Sequence, residues 1–408
     1  DAHLSLSAGR RSFHNLTSAY PWLYTLAGEE YLDGNLQLTD IIENADGTIS
    51  FTVHSSNLNV WTGDTDNNWN IPSNWSKGTV PTSNDWVEIP PTSHNYYPVV
   101  TADAEARYIS VHSGTALSVG PAELHVYGNL DCYGRLTSAS NDAVYFVDGD
   151  LNFHAGSDTW FYWDVHFYVR GDASFLEGSN VDMDHCLLEF YSTGSSSLIV
   201  KSPGAVFHLK SSKHFPSALI LSSQSTQPLS INGNLYVDDG CFVSQFYTGS
   251  TYLFGNLLAY GTGAVTLSQG SLVLSGSNDS YINISNSSAY LHNLIINKAG
   301  SATVTMNSDL KVNGNLTITE GVLNASLYKL QLGGDYICSL GTSAFSPGIA
   351  TLSLFGSNLQ TLSSIHVYRL ELNKSGGYWN IPLGSDILAD YYNWTAGSYT
   401  VRDRKSVV

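Results

Sequence analysis

The sequence predicts an all-β protein: a right-handed parallel β-helix, a solenoid of ~21 residues per coil, behind an N-terminal β cap. Three observations predict it. A Gly-Asn/Asp step followed by one further residue, most often Leu, recurs at Gly128-Asn129-Leu130, Gly149-Asp150-Leu151, Gly171-Asp172-Ala173, Gly233-Asn234-Leu235, Gly255-Asn256-Leu257, Gly314-Asn315-Leu316 and Gly334-Asp335-Tyr336. Most successive glycines stand one such coil apart, and the two long gaps, Gly171 to Gly233 and Gly255 to Gly314, lie close to three coils each. Short β-branched or aromatic runs bounded by Gly, Ser and Asn sit between these steps, and helical periodicity with caps is nearly absent.

The elements follow in chain order. Residues 1–57 read as a β-hairpin segment, the possible end of an upstream domain: Leu36–Ile41 and Thr48–Val53 flank an Asp46-Gly47 turn. Residues 58–115 are rich in Trp and Pro and read as a cap with the first coils. A solenoid needs such a cap because its first coil otherwise exposes a strand edge and an open core. Residues 116–402 read as the β-helix, with strands such as Leu124–Tyr127, Val144–Val147, Leu235–Val237, Leu272–Leu274 and Leu316–Ile318. Strands ~4.8 Å apart give ~13 or 14 coils and a rod ~65 Å long. Gly and Asn at each corner are expected to supply the positive φ of a sharp bend. A longer repeat overlays the coils: Asn293–Gly300 matches Arg369–Gly376 at an offset of 76. Residues 403–408 break the composition and match a translated sequencing-library adapter, so a non-native tail is expected there. The first residue is Asp1, which suits a mature product or a fragment.

Composition excludes several function classes. Only 13% of residues are charged, against roughly 25% in ordinary domains. With 35 acidic and 17 basic residues the net charge is −18, which disfavours nucleic acid and anionic membrane surfaces. No apolar run is long enough to span a bilayer. The four cysteines, Cys132, Cys186, Cys241 and Cys338, form no CxxC pair and read as buried free thiols. Gly-x-Ser-x-Gly and Walker motifs are lacking, and Gly261-Thr262-Gly263 reads as a turn.

Trp61-x-Gly63, Trp69, Asn74-Trp75, Gly78, Val80-Pro81 and Ile89-Pro90 resemble the opening of right-handed parallel β-helix regions in large secreted bacterial surface proteins. Val312–Leu323 resembles the coils that follow there. The resemblance covers about residues 58–401 and implies an extracellular or cell-surface location. Gly9–Phe13, Tyr20-Pro21 and Leu38–Phe51 resemble the segment that closes the catalytic portion of immune-inhibitor-A-like metallopeptidases, which implies a zinc protease upstream. None of its metal ligands carries over, because no histidine here opens a His-Glu-x-x-His motif.

Polar and aromatic residues are densest over 148–190: Asp148, Asp150, His154, Trp160-Phe161-Tyr162-Trp163, Asp164, His166, Arg170, Asp172, Asp182, Asp184 and His185. Side chains one coil apart in sequence stack on adjacent coils, so Asp164 is expected near Asp184 or His185, and Asp150 near Asp172. Stacked carboxylates repel unless they bind calcium, share a proton or stay solvated. The candidate catalytic residues are therefore Asp164, Asp184, His185 and Arg170, set against a reading of corner aspartates with no chemistry. Four consecutive aromatics cannot all point inward. Trp160, Tyr162, Trp163 and His166 are the candidate ligand-binding residues, since exposed rings suit sugar faces. Asp64, Asp66 and Asn68 alternate like the start of a calcium loop, but the expected Gly is Trp69, and a solvated loop is the competing reading. No cofactor is expected, although the acidic excess leaves room for calcium between coils.

The function expected from the sequence is a non-catalytic extracellular β-helix. It would act as a surface stalk or an adhesive, glycan-binding module of a larger secreted protein, as a monomeric rod whose partner is a polysaccharide or cell-surface glycan. The alternatives are a polysaccharide lyase or glycoside hydrolase with its groove on the β-helix, and the C-terminal tail of a secreted metallopeptidase.

Overall fold

The structure, a computed structural model, describes residues 57–396 apart from 162–163, 215, 223, 239, 245–247, 378 and 383. Before residue 57 it describes the strands Phe13–His14, Trp22–Tyr24, Glu30–Leu32, Gln37–Glu43 and Ile49–His54. Residues 403–408 lie outside the described residues.

The fold is the expected one. Parallel strands stack into a β-solenoid of about 13 turns, and no α-helix occurs among the described residues. One sheet runs through ten rungs, from Leu58–Val60 and Trp86–Ile89 to Cys241–Ser244 and Ala264–Leu267. A second begins at Ala104–Ala106, continues through Glu123–Val126, Val144–Val147, Val165–Val169, Val181–Ser192 and Gly204–Lys213, and then forks into two columns. Coil length is variable: Leu130 pairs with Leu151, whereas the longer coil that starts at Ala173 returns only at Leu198. Before the solenoid, Gln37–Glu43 pairs antiparallel with Ile49–His54, as the Asp46-Gly47 pattern predicts.

Alternation along each strand sends one set of side chains inward, and the parallel register stacks them. Leu124, Tyr145, Phe167, Leu188, Leu209, Leu235, Leu257 and Ile282 form one such column, all buried. Tyr145 and Phe167 stack 4.4 Å apart, and the Tyr145 hydroxyl donates to the Thr137 carbonyl. Burying each large apolar side chain contributes roughly 1.5–3 kcal/mol. At the N-terminal end Trp61, Trp69 and Trp75 are buried and meet edge to face, with centroids 5.0 and 4.6 Å apart. They belong to the same buried cluster as Val87 and Ile89 of the first coils. Cys132, Cys186 and Cys338 are buried free thiols, as expected. The Cys241 side chain lies outside the described residues.

The recurring Gly-Asn/Asp step has a different cause from the one expected. None of its seven glycines, and none of its Asn or Asp residues, has positive φ. The Asn or Asp side chain instead accepts a backbone N–H from the next coil. Asn129 Oδ1 accepts the N–H of Asp150 at 2.8 Å, Asp150 that of Asp172 at 2.9 Å, and Asp172 that of Ser197 at 2.7 Å. A second ladder runs from His208 Nδ1 to Asn234, from Asn234 Oδ1 to Asn256 and from Asn256 Oδ1 to Tyr281, each at 2.8 Å. A third runs from Asn293 to Asn315, Asp335 and Thr361 at 2.7–2.8 Å. A backbone amide thus stands between the stacked aspartates Asp150 and Asp172. The long gaps are changes of ladder, not missing copies. On the first sheet Ser197 is followed by Ile220 and Val243, whereas Asn234 precedes Leu235 on the second.

The glycines are required by close approach. An added Cβ would stand 2.2 Å from Asn129 Oδ1 at Gly149, and 2.3 Å from the Gly233 carbonyl at Gly255. Gly255→Ala is therefore expected to cost about 1–3 kcal/mol by overpacking. Gly194→Ala, where nothing lies within 4 Å, should be near neutral. Urea midpoints of the two variants check this. Equal midpoints would show that the corners have room to spare.

Candidate functional site

The dense 148–190 segment is spread over several surfaces. Thr159, Trp160, Phe161, Asp182, Asp184 and His185 line an open pocket of about 260 Å3. Asp158–Trp160 pairs with Arg135–Ser138 on one side, which presents Trp160 outward with 59% of its surface exposed. Phe161 turns inward and packs edge to face on Tyr145 and Phe167, which anchors this wall in the core. The opposite wall is a bulge in Val181–Ser192, where the register shifts between Met183 and Leu187. A bulge re-aims side chains, and here it releases Asp184 and His185 from the regular alternation.

The wall is tied down by short contacts. Thr159 Oγ1 accepts the Asp182 N–H at 2.7 Å and donates to the Asp182 carbonyl at 2.8 Å. Asp182 Oδ1 accepts the Asp184 N–H at 3.0 Å, and Asn232 Nδ2 donates to the Asp184 carboxylate. Burial, followed by the charge of Asp182, holds the Asp184 pKa above the ordinary carboxylate value. The pocket therefore offers an indole face beside two carboxylates whose environments differ.

Asp164 is an exposed corner residue with φ +61°. Val165 pairs with Cys186, so Asp164 and His185 stand at one level on neighbouring coils, as the spacing predicts. Tyr162 and Trp163 lie outside the described residues. Arg170 and His166 do not line the pocket. They sit on the outer face of the second sheet, where Arg170 pairs with Asp148 at 3.3 Å and lies over the Tyr191 ring. Tyr191 also donates to Asp148 at 3.1 Å, and His166 Nδ1 is 3.4 Å from the Tyr168 hydroxyl. Arg170 is thus committed to an internal network.

The loop with the calcium-like spacing is organised by its own hydrogen bonds. Asp66 Oδ1 accepts from the Asn68 N–H and from Asn74 Nδ2, both at 2.8 Å, and Asn68 Oδ1 accepts the Asn70 N–H. Asp64 stands 4.0 Å from His94 Nδ1. Among the described residues no group of three or more His, Cys, Asp or Glu is placed to hold a metal ion.

Sequence reasoning missed two His–carboxylate pairs on the outer face of the first sheet. His112 Nε2 meets Glu88, and His154 Nε2 lies 2.9 Å from Asp131 Oδ1, with Tyr133 stacked on His154 at 4.0 Å. Glu88 and Asp131 are both buried. The partners in each pair sit a full coil apart in sequence, so they make no dense window, and only a search at coil spacing would find them.

Three lysines are also fully buried: Lys213, Lys298 and Lys374. Lys298 Nζ donates to the Phe254 and Ser275 carbonyls, and Lys374 Nζ to the Asn358 carbonyl and Gln360 Oε1. These two occupy equivalent places in the longer repeat, opposite Gly276 and Gly356, which both have positive φ. Lys213 Nζ donates to Ser192 and Ser196 hydroxyls at 2.7 and 2.6 Å.

A family model described as a domain of unknown function (DUF8693) matches residues 60–142. The match takes in the tryptophan cluster, Glu88, His112 and Asp131 and stops short of the pocket. No curated protein and no solved structure matches the chain.

Burial lowers the Lys213 pKa to about 8, against ~10.4 in an unfolded chain. Above about pH 8 the unfolded state holds this proton more firmly than the folded state, so stability should rise with pH. Unfolded thiols, at ~8.5, ionise over the same range, about pH 8 to 10, while burial holds Cys132 at about 12, so the Lys213 contribution is the difference between the wild-type and Lys213→Met pH profiles. Chemical denaturation between these limits checks it. Lys213→Met should flatten the rise and leave neutral-pH stability equal or higher.

Proposed function

We propose that the chain is the non-catalytic, extracellular stalk of a larger secreted protein, and that it carries a carbohydrate-binding site in the Trp160 pocket. The observation that carries this reading is the exposed indole of Trp160 standing beside Asp182 and Asp184. A sugar ring lays its C–H face on an indole, and its hydroxyls donate to carboxylates. The bulge and the Thr159–Asp182 bonds hold these groups in place before a ligand arrives. The resemblance of residues 58–401 to β-helix regions of secreted surface proteins supports the extracellular placement. The resemblance of residues 1–57 to the end of a metallopeptidase's catalytic portion supports an enzyme upstream.

One observation favours a second reading. Asp184 is pushed toward its protonated form beside Asp182, and glycoside hydrolysis uses such an acid with a second carboxylate.

Titration of a panel of neutral, acidic and amino-sugar oligosaccharides separates the two readings. Binding should weaken about tenfold or more, or ~1.4 kcal/mol, in Trp160→Ala. The same panel is assayed for new reducing ends. Turnover abolished by Asp184→Asn would replace the binding reading with the hydrolase one. Glycan binding that is absent, or indifferent to Trp160→Ala, would remove both from this pocket.

A further inference from the structure

Nine side chains act as acceptors in the three corner ladders. Eight are Asn or Asp, whose oxygens keep accepting through neutral pH. The ninth is His208, which takes the Asn234 N–H on Nδ1 at 2.8 Å. An imidazole nitrogen accepts only while it carries no proton, so this rung requires neutral His208 with any N–H on Nε2. Gly233 lets the ring reach the corner, since a Cβ there would stand 2.5 Å from Nδ1.

We propose that His208 is an acid-sensitive joint in the rod: protonation of Nδ1 turns the acceptor into a donor, breaks the bond to the Asn234 amide and loosens the coils on either side. The loss would travel, because Asn234 is itself the next acceptor. Its Oδ1 takes both the N–H and the Nδ2 of Asn256, at 2.8 and 3.0 Å, and its Nδ2 donates to the Tyr236 hydroxyl at 2.7 Å. The groups around the ring do not supply a counter-charge. Phe207 and Tyr236 meet it through their rings, at 4.4 and 5.5 Å. Leu187 stands opposite it on Val181–Ser192. His166 on Val165–Val169 is a second imidazole whose charge opposes protonation. The nearby Glu189, Lys210 and Asp238 are paired with one another, at 3.4 and 3.1 Å, and Asp184 is engaged by Asn232. Burial, the largest influence on this ring, holds its pKa below the usual value. The neutral rung is therefore intact near neutral pH, and its contribution is lost as pH falls below the unfolded value of ~6.5 and through the lower folded one.

Hydrogen exchange resolved at the Asn234 amide, corrected for intrinsic rate, tests this at about pH 7 and about pH 5 on either side of the imidazole range. In the wild type, protection at Asn234 should fall tenfold or more at the lower pH, while the Asn315 amide on the third ladder stays protected. His208→Asn supplies an acceptor that does not titrate and should abolish the acid dependence. His208→Leu supplies none, and Asn234 should exchange fast at both pH values. Equal wild-type protection at the two pH values would overturn the proposal. So would full protection in His208→Leu at neutral pH, or an acid loss in His208→Asn as large as in the wild type.

Discussion

The structure depends on one constraint: every coil must turn corners, and at a corner the backbone N–H has left its regular strand ladder and still needs an acceptor. The chain supplies it from a side chain one coil earlier. Asn129, Asp150 and Asp172 do this on the first sheet, and the ladders beginning at His208 and Asn293 do it further along. At the Gly-Asn/Asp steps a Cβ on the glycine would strike the coil below, whereas Ser196, Ser280 and Gln360 precede the ladder amides of Ser197, Tyr281 and Thr361. The recurring Gly-Asn/Asp step of the sequence follows from this pairing of glycine with an acceptor. Buried columns such as Leu124–Tyr145–Phe167 contribute most of the energy. The ladders fix which residues are allowed to face inward.

The same regularity explains where chemistry can appear. On a solenoid the alternation of side chains fixes most residues as core or corner. Departures from it are the places where polar groups are released. The Trp160 pocket lies at such a departure, the bulge in Val181–Ser192 that takes Asp184 and His185 out of the regular alternation. The His–carboxylate pairs at Glu88 and Asp131 show the opposite case, in which regular register brings charged partners from successive coils together. The buried lysines use the rod in a third way, reaching back to carbonyls and hydroxyls of earlier coils, with a positive-φ glycine alongside each: Gly240, Gly276 and Gly356.

Much of this was legible in the residues. Spacing alone places Asp150 beside Asp172 and Asp164 near Asp184 or His185, and the structure sets Asp164 level with His185. Coil spacing did not reveal that an amide stands between the stacked aspartates, since a backbone donor has no letter of its own. For that reason positive φ was expected where close approach rules. Arg170 and His166 are near the pocket in sequence, but they sit on and just after Val165–Val169 of the second sheet and do not line it. Lys298 and Lys374 stood inside a visible repeat, yet nothing in a single Lys signals burial without a carboxylate. Glu88 and His112 were missed because their pairing is invisible except at coil spacing.

The ladder account is tested most directly by site-resolved hydrogen exchange of the native protein at neutral pH. The amides of Asp150, Asp172, Asn256, Asn315 and Asp335 should exchange as slowly as the strand amides of Leu130 and Leu316 beside them. Fast exchange at these five amides, at the rate of exposed turns, would contradict it and leave core packing alone to hold the coils in register.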